Sequence, residues 1–188
     1  MSKVIYYVAA TIDGYIADPS DSLDWLMRHE LEPGGTNDYE SFLGTVGAIV
    51  MGATTYEWVL THGPWGYELP AWVMTHRELP LPQETATGAA ADIRFSQAEI
   101  RQVHQEMLVA AKGKDLWVVG GGDLAGQFAD AGLLDEILLS TAPVTLGAGR
   151  PVLPRRLDLE LLETARNGAF AAARYRVLGQ LQEDRSAG

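Results

Sequence analysis

The sequence predicts an α/β fold built on a mixed, mainly parallel sheet with helices on both faces and an antiparallel C-terminal extension. Three observations carry this. Apolar, β-branched runs such as Val4 to Ala10 and Ala48 to Met51 have no polar alternation, the pattern of strands covered on both faces. Segments with helical spacing alternate with such runs as far as Gly132. From Glu136 onward, Ile137 to Thr141, Leu157 to Glu163 and Ala171 to Leu178 read as strands with no long helix between them.

After the first strand, Asp13-Gly14 and Asp18-Pro19-Ser20 punctuate a long loop. Tyr39 to Leu43 makes a short amphipathic helix, Ala48 to Met51 a strand ending at Gly52, and Thr54 to Leu60 the helix after it. A turn at Gly63-Pro64-Trp65-Gly66 leads to a strand over Ala71 to Thr75. The connection Leu79 to Ala91 is irregular, and Ile93 to Phe95 is a short strand. Ser96-Gln97-Ala98-Glu99 has the form of a capping box, placed before a helix whose Ile100, Val103, Met107, Leu108 and Ala111 share one face. Gly113 ends it. Leu116 to Val119 is the next strand, followed by three glycines and a helix carrying Leu124, Phe128 and Ala131, which Gly132 stops.

A chain of 188 residues suits one domain, here 1–181, with 182–188 expected to be a frayed tail. With no cysteine, disulfides, thiolate nucleophiles and sulfur-ligated zinc are excluded. Net charge is -11, from 25 acidic and 14 basic residues, so nucleic acid and acidic membrane surfaces are unfavourable partners. The N-terminus has no apolar signal core, and no apolar run approaches eighteen residues; a cytoplasmic location is expected. His29, His62, His76 and His104 lack ligand spacing, so no metal is expected, and His104, among polar neighbours, should face solvent. Ser140 lacks the G-x-S-x-G context of a hydrolase nucleophile.

The stretch LWVVGGGDLAGQFADAGLLD, Leu116 to Asp135, runs from strand through bare glycines to helix. That geometry turns backbone N–H groups and a helix N-terminus toward an anion such as phosphate, but it equally suits a tight turn with a closely packed helix. Gly120, Gly122 and Ala125 satisfy G-x-G-x-x-[GA], yet the turn comes late in the chain and Asp135-Glu136 arrives too early for the ribose-binding acid of a Rossmann unit. No P-loop motif is present.

In series, AATIDGYIA from Ala9 to Ala17, Asp24-Trp25, MGATTYE from Met51, WVMTHR from Trp72, VVGGGDL from Val118 and GLLDEILLSTAPVTLGAGRPVLP from Gly132 resemble the dihydrofolate reductase superfamily. The resemblance is strongest to the reductase domain of riboflavin biosynthesis, the C-terminal half of the bifunctional deaminase-reductase, and spans roughly residues 3 to 180. The deaminase half needs cysteines, so a stand-alone reductase is implied.

The resemblance implies a three-layer fold and an NADPH site. Gly120, Gly121, Gly122, Asp123 and Leu124 would lie on the pyrophosphate and nicotinamide, with Gly52, Thr54 and Thr55 on its other side. Thr75, His76 and Arg77 would meet the 2'-phosphate, where a guanidinium suits bidentate contact. Ala9, Ala10 and Ile16 would touch the nicotinamide. Ala53 stands where the family often has a basic residue, which leaves Arg77 to read the 2'-phosphate and keeps NADH as a second cofactor. A homodimer through the C-terminal strands is also implied.

Hydride transfer belongs to the nicotinamide, so few catalytic side chains are needed. Asp38 sits where dihydrofolate reductases carry an acid, with Ser140 as its supporting hydroxyl; the bland reading is that Asn37 or Asp38 caps the following helix. Asp13 would face the substrate or form an Asx-turn. Trp25, Tyr56 and Trp65 would wall a flat heterocycle or pack internally. Pro143 and Gly147 belong to a turn on the substrate side, or to hairpin geometry alone. The function implied is an NADPH-dependent reductase similar to 5-amino-6-(5-phosphoribosylamino)uracil reductase. The alternatives are a pterin reductase of dihydrofolate reductase type and a non-catalytic nucleotide-binding protein.

Overall fold

The computed structural model describes residues 1–182. Apart from Gln182, the expected tail 182–188 lies outside the described residues. The chain runs β1 (Val4–Thr11), β2 (Tyr15–Ala17), α1 (Tyr39–Thr45), β3 (Val46–Gly52), α2 (Ala53–Thr61), β4 (Ala71–Met74), β5 (Ile93–Ser96) and α3 (Ile100–Ala111). It continues through β6 (Asp115–Gly120), α4 (Gly122–Asp130), β7 (Glu136–Ala142), β8 (Arg150–Pro151), β9 (Leu157–Asn167) and β10 (Phe170–Gln180). No helix of the described residues is long and apolar enough to cross a membrane.

The central sheet has eight strands in the order β5-β4-β3-β6-β1-β7-β10-β9. The six from β5 to β7 are parallel to their neighbours, and β10 and β9 close the sheet antiparallel. The α/β sheet with its antiparallel C-terminal extension is therefore as the sequence predicts.

Strand alternation sorts the core into two layers. Val4, Tyr6, Ala48, Val50, Leu116 and Val118 point to the face packed by α3 and α4 through Val103, Met107, Leu124 and Phe128. Ile5, Ile49, Met51, Val73 and Trp117 point to the opposite face, where Phe42 of α1 and Tyr56 of α2 pack. The runs lack polar alternation because both faces are covered.

Local details depart from expectation. Glu99, not Ser96, is the N-cap of α3 and makes no side-chain capping bond; the Ser96 hydroxyl accepts from Ala98 N instead, one turn too early for a capping box. His104 is half-buried rather than solvent-facing, with Nδ1 enclosed and without a partner among the described residues, and burial lowers its pKa. The short antiparallel pair β2–β8 has no counterpart in the sequence pattern. It brings Gly149 so close to Ala17 that a Cβ would lie 2.1 Å from the Ala17 carbonyl oxygen. The buried carboxylate of Glu136 holds Lys3 Nζ at 2.5 Å and Arg174 Nε at 2.7 Å, tying the start of β7 to both neighbouring strands. Burial would raise its pKa, but the two cations outweigh that and lower it.

Candidate functional site

β3 and β6 are adjacent and parallel, yet the helices that come after them leave in opposite directions: α2 packs on one face, α4 on the other. Their carboxyl ends cannot both be covered, and a crevice opens there, the topological switch point of an open α/β sheet. A cleft of about 770 Å³ occupies this position and continues over the α1/α2 face of the sheet. That volume is in the range of small-molecule and cofactor sites.

The mouth is made of two helix N-termini. Gly52 caps α2 and Gly121 caps α4, both in extended backbone conformation and neither with a side chain to satisfy the first-turn N–H groups. The two turns touch, since a Cβ on Gly52 would lie 3.9 Å from the Gly120 carbonyl oxygen. Thr55 Oγ1 lies against Gly120, whose φ of 158° falls in the region that favours glycine. The Gly120–Gly121 peptide is cis.

The three glycines have different reasons to be glycine. A Cβ on Gly122 would meet the Pro151 and Val152 carbonyl oxygens at 2.3 and 2.4 Å, so this residue lets α4 pack on the β8 segment. A Cβ on Gly121 would meet nothing nearer than Ile16 Cδ1 at 4.0 Å, and this residue lines the cleft. The packing reading of the turn thus falls on Gly122, and Gly121 is left facing the cleft.

Of the residues singled out from the sequence, Ala9, Ile16, Gly52, Thr54, Thr55, Gly120, Gly121, Gly122, Asp123, Leu124 and Ser140 line the cleft together. Ala10 does not, because it projects from the opposite face of β1 to Ala9 and is buried. Thr75, His76 and Arg77 lie outside the lining, although Met74 just before them belongs to it. The Thr75 hydroxyl closes a local turn with the Arg77 backbone, and the Arg77 guanidinium is bound bidentately by Glu57 at 3.0 and 2.7 Å. Any phosphate reaching Arg77 competes with that carboxylate.

The aromatic wall expected from Trp25, Tyr56 and Trp65 is not at the cleft. Tyr56 and Trp65 are core residues in edge-to-face contact, with the Tyr56 hydroxyl donating to Pro80 O. Trp25 is buried against Ala142 and Phe170. Side chains so enclosed have no face left for a ligand. Asp13, Pro143 and Gly147 also stand away from the lining. Asp13 binds the Thr11 hydroxyl at 2.5 Å and the backbone N–H groups of Leu146 and Gly147, clasping two loops together. The Thr11 hydrogen bond, with those from the loop amides, lowers its pKa.

Asp38 is a capping residue. Its carboxylate accepts from Ser41 N and Gly34 N, bonds that lower its pKa, and it does not line the cleft. The residue directed at Ser140 is Asn37, whose Nδ2 donates to Leu139 O at 3.2 Å and approaches Ser140 Oγ at 3.5 Å. An amide therefore occupies the position expected of an acid.

The side chains missed by sequence reasoning are Tyr7, Tyr39, Trp58 and Trp117, the leucines 23, 26 and 31, and Arg150 paired with Asp21. Tyr7 lies in a run whose pattern says only buried strand, yet its hydroxyl donates to Asn37 O, and its pKa is pushed up to about 12, mainly by burial. Strand parity is the available signal: Tyr7 and Ala9 share a face.

The profile of the RibD C-terminal domain matches residues 2–169. The chain belongs to the RibD C-terminal domain family. The uncharacterized protein YwjB of Bacillus subtilis is 30% identical over 178 residues, covering 92% of this chain and 97% of that one. YyaP of the same organism, also uncharacterized, is 26% identical and covers 86% and 87%. Among solved structures, a protein of Shewanella sp. PV-4 described as a riboflavin biosynthesis protein superposes with a TM-score of 0.77 at 23% identity, over 93% of this chain and 98% of the other. RibD of Acinetobacter baumannii superposes at 0.66 with 16% identity over 94% of this chain, which spans 58% of that longer protein. These structural likenesses show the shared fold.

The unequal environments of Gly121 and Gly122 make a direct test. Gly122→Ala should cost about 2–3 kcal/mol, as expected for overpacking against fixed carbonyls. Gly121→Ala, whose Cβ would meet nothing nearer than Ile16 Cδ1 at 4.0 Å, should cost no more than about 1 kcal/mol, the loss of a glycine cap. Thermal melts of the two variants beside the parent chain check both, and equal losses would contradict the division of roles.

Proposed function

We propose that the chain is an NADPH-dependent reductase that passes hydride to a carbonyl- or imine-type carbon of a small heterocyclic compound. One observation carries the reading: two uncapped helix N-termini, at Gly52 and Gly121, face one cleft from adjacent strands of a reductase-family fold. A pyrophosphate bridging these turns would satisfy first-turn N–H groups of α2 and α4 at once, with both dipoles favouring its charge. The bare Cα of Gly121 leaves room for such a group, and the donor set fits it.

A bound nicotinamide would supply the hydride chemistry. The chain's own contribution is orientation. Gly120 and Gly121 would let the dinucleotide approach the main chain, Ala9 and Ile16 would pack the nicotinamide end, and Ser140 would offer a hydroxyl at the floor of the sheet. The two carboxylates among the described lining residues are both engaged, Asp21 by Arg150 and Asp123 by Arg155. A pterin reductase relying on Asp38 would lack its acid, because Asp38 caps α1. Family membership supports reduction as the class of reaction; a Thermotoga maritima protein with the same fold is named a 5-amino-6-(5-phosphoribosylamino)uracil reductase.

We further propose a homodimer through the β9 edge. β9 is an eleven-residue edge strand, and Leu161 on it and Leu178 on β10 are 55% and 62% exposed. Such an edge needs covering. Sedimentation should give twice the chain mass, with Leu161→Lys shifting it toward monomer; a parent chain that stays monomeric at high concentration contradicts the proposal.

Titration with NADPH and NADH tests the cofactor reading. Both should bind saturably, and Gly121→Val should weaken both at least about tenfold, a loss of about 1.4 kcal/mol. Glu57→Gln, which frees Arg77, should shift preference toward NADPH by about threefold to fivefold, the worth of an exposed ion pair. Failure of both nucleotides to bind would overturn the reductase reading.

A further inference from the structure

The inner half of the cleft differs chemically from its glycine mouth. Its floor is the α1/α2 face of the sheet, where Tyr7 and Trp117 project, and Tyr39 stands over them at ring distances of 6.2 and 6.0 Å. Tyr7 is fixed from beneath by a stacked Phe42 at 4.5 Å, and Trp117 meets that same ring edge-on. Leu26 and Leu31 close the side nearest Ala9. The result is a packed aromatic wall beside an aliphatic one, suited to a flat π-system laid against it.

Its polar groups are neutral. Ser140 Oγ lies at the floor, and the phenol of Tyr39 makes no hydrogen bond among the described residues while burial raises its pKa, so it stays protonated as a donor. Among the described residues lining the whole cleft, Arg150 is the one Lys or Arg. It sits beside Pro151 at the Gly122 end, and its guanidinium is engaged by Asp21 at 2.6 and 3.0 Å. A phosphomonoester carries nearly two negative charges and needs charge-assisted donors to leave water. The inner half offers none, within a chain of net charge -11.

We propose that the inner half of this cleft takes an uncharged, flat, conjugated carbonyl or imine compound and rejects a phosphorylated riboside. For the chemical step after binding, the inference rests on the reductase reading. Reduction of such a compound forms one C–H bond with the hydride of a reduced nicotinamide, moves the π electron pair to oxygen or nitrogen, and ends with a proton from water; the dinucleotide is oxidised. Substrate recognition in this chain thus comes from stacking and two hydroxyls rather than from a phosphate anchor.

Calorimetric titration with isatin, a neutral bicyclic dicarbonyl, and with 5-amino-6-(5-phosphoribosylamino)uracil tests it, each with and without oxidised dinucleotide. Isatin should bind saturably and at least about tenfold more tightly than the phosphorylated pyrimidine. Tyr39→Ala, at the exposed rim of the cleft, should weaken isatin by about tenfold, the scale of a lost aromatic wall, and leave dinucleotide affinity unchanged. Equal or tighter binding of the phosphorylated pyrimidine, or no saturation by isatin, overturns the proposal. Isatin binding in a chain that binds no dinucleotide would uphold the ligand class and defeat the reductase reading alone.

Discussion

The site depends on one constraint: two neighbouring parallel strands, β3 and β6, deliver their helices to opposite faces of the sheet. Helices that diverge cannot fill the space above the strand ends, and each leaves its first N–H groups without intrahelical partners. The crevice and the backbone donors at its mouth therefore arise together from topology, before any side chain is chosen. The unbroken apolar runs of β1, β3 and β6 require it, since each strand must bury both faces.

Local sequence then decides what the crevice can hold. Glycine at both helix caps removes the side chains that would close it, while Gly122 yields to packing against Pro151 and Val152. The β2–β8 pair is the counterpart of that packing. By bringing Gly149 against Ala17 it holds Arg150 and Pro151 over the glycine turn and fixes the outer wall of the cleft. The mouth is thus polar backbone and the interior aromatic, a division set by which face of the sheet each residue occupies.

The sheet and its helices are legible in the sequence because long runs covered on both faces have a strong, local signature. β2 and β8 are not, since three- and two-residue strands carry no periodicity and owe their pairing to a distant close approach at Gly149. The glycine turns are legible as motifs, as strand, glycine and helix in succession form a local pattern. Tyr56 and Trp65 suggest a substrate wall because aromatic residues in loops and first turns look alike whether they stack on a ligand or on each other. Asp38 and Asn37 show the finest limit. Adjacent residues at a helix start exchange roles by a single rotation of the backbone: Asn37 takes a positive φ of 60° and turns inward, and Asp38 is left to cap α1. Tyr7, Tyr39 and Trp117 come from three elements and meet only once the strand order is known.

A crystal structure of the chain with bound NADP tests the central claim most directly. Pyrophosphate oxygens should accept hydrogen bonds from first-turn N–H groups of both α2 and α4, with the nicotinamide directed toward Ala9 and Ser140. A dinucleotide lodged away from the Gly52 and Gly121 turns, or held by only one of the two helices, would contradict it.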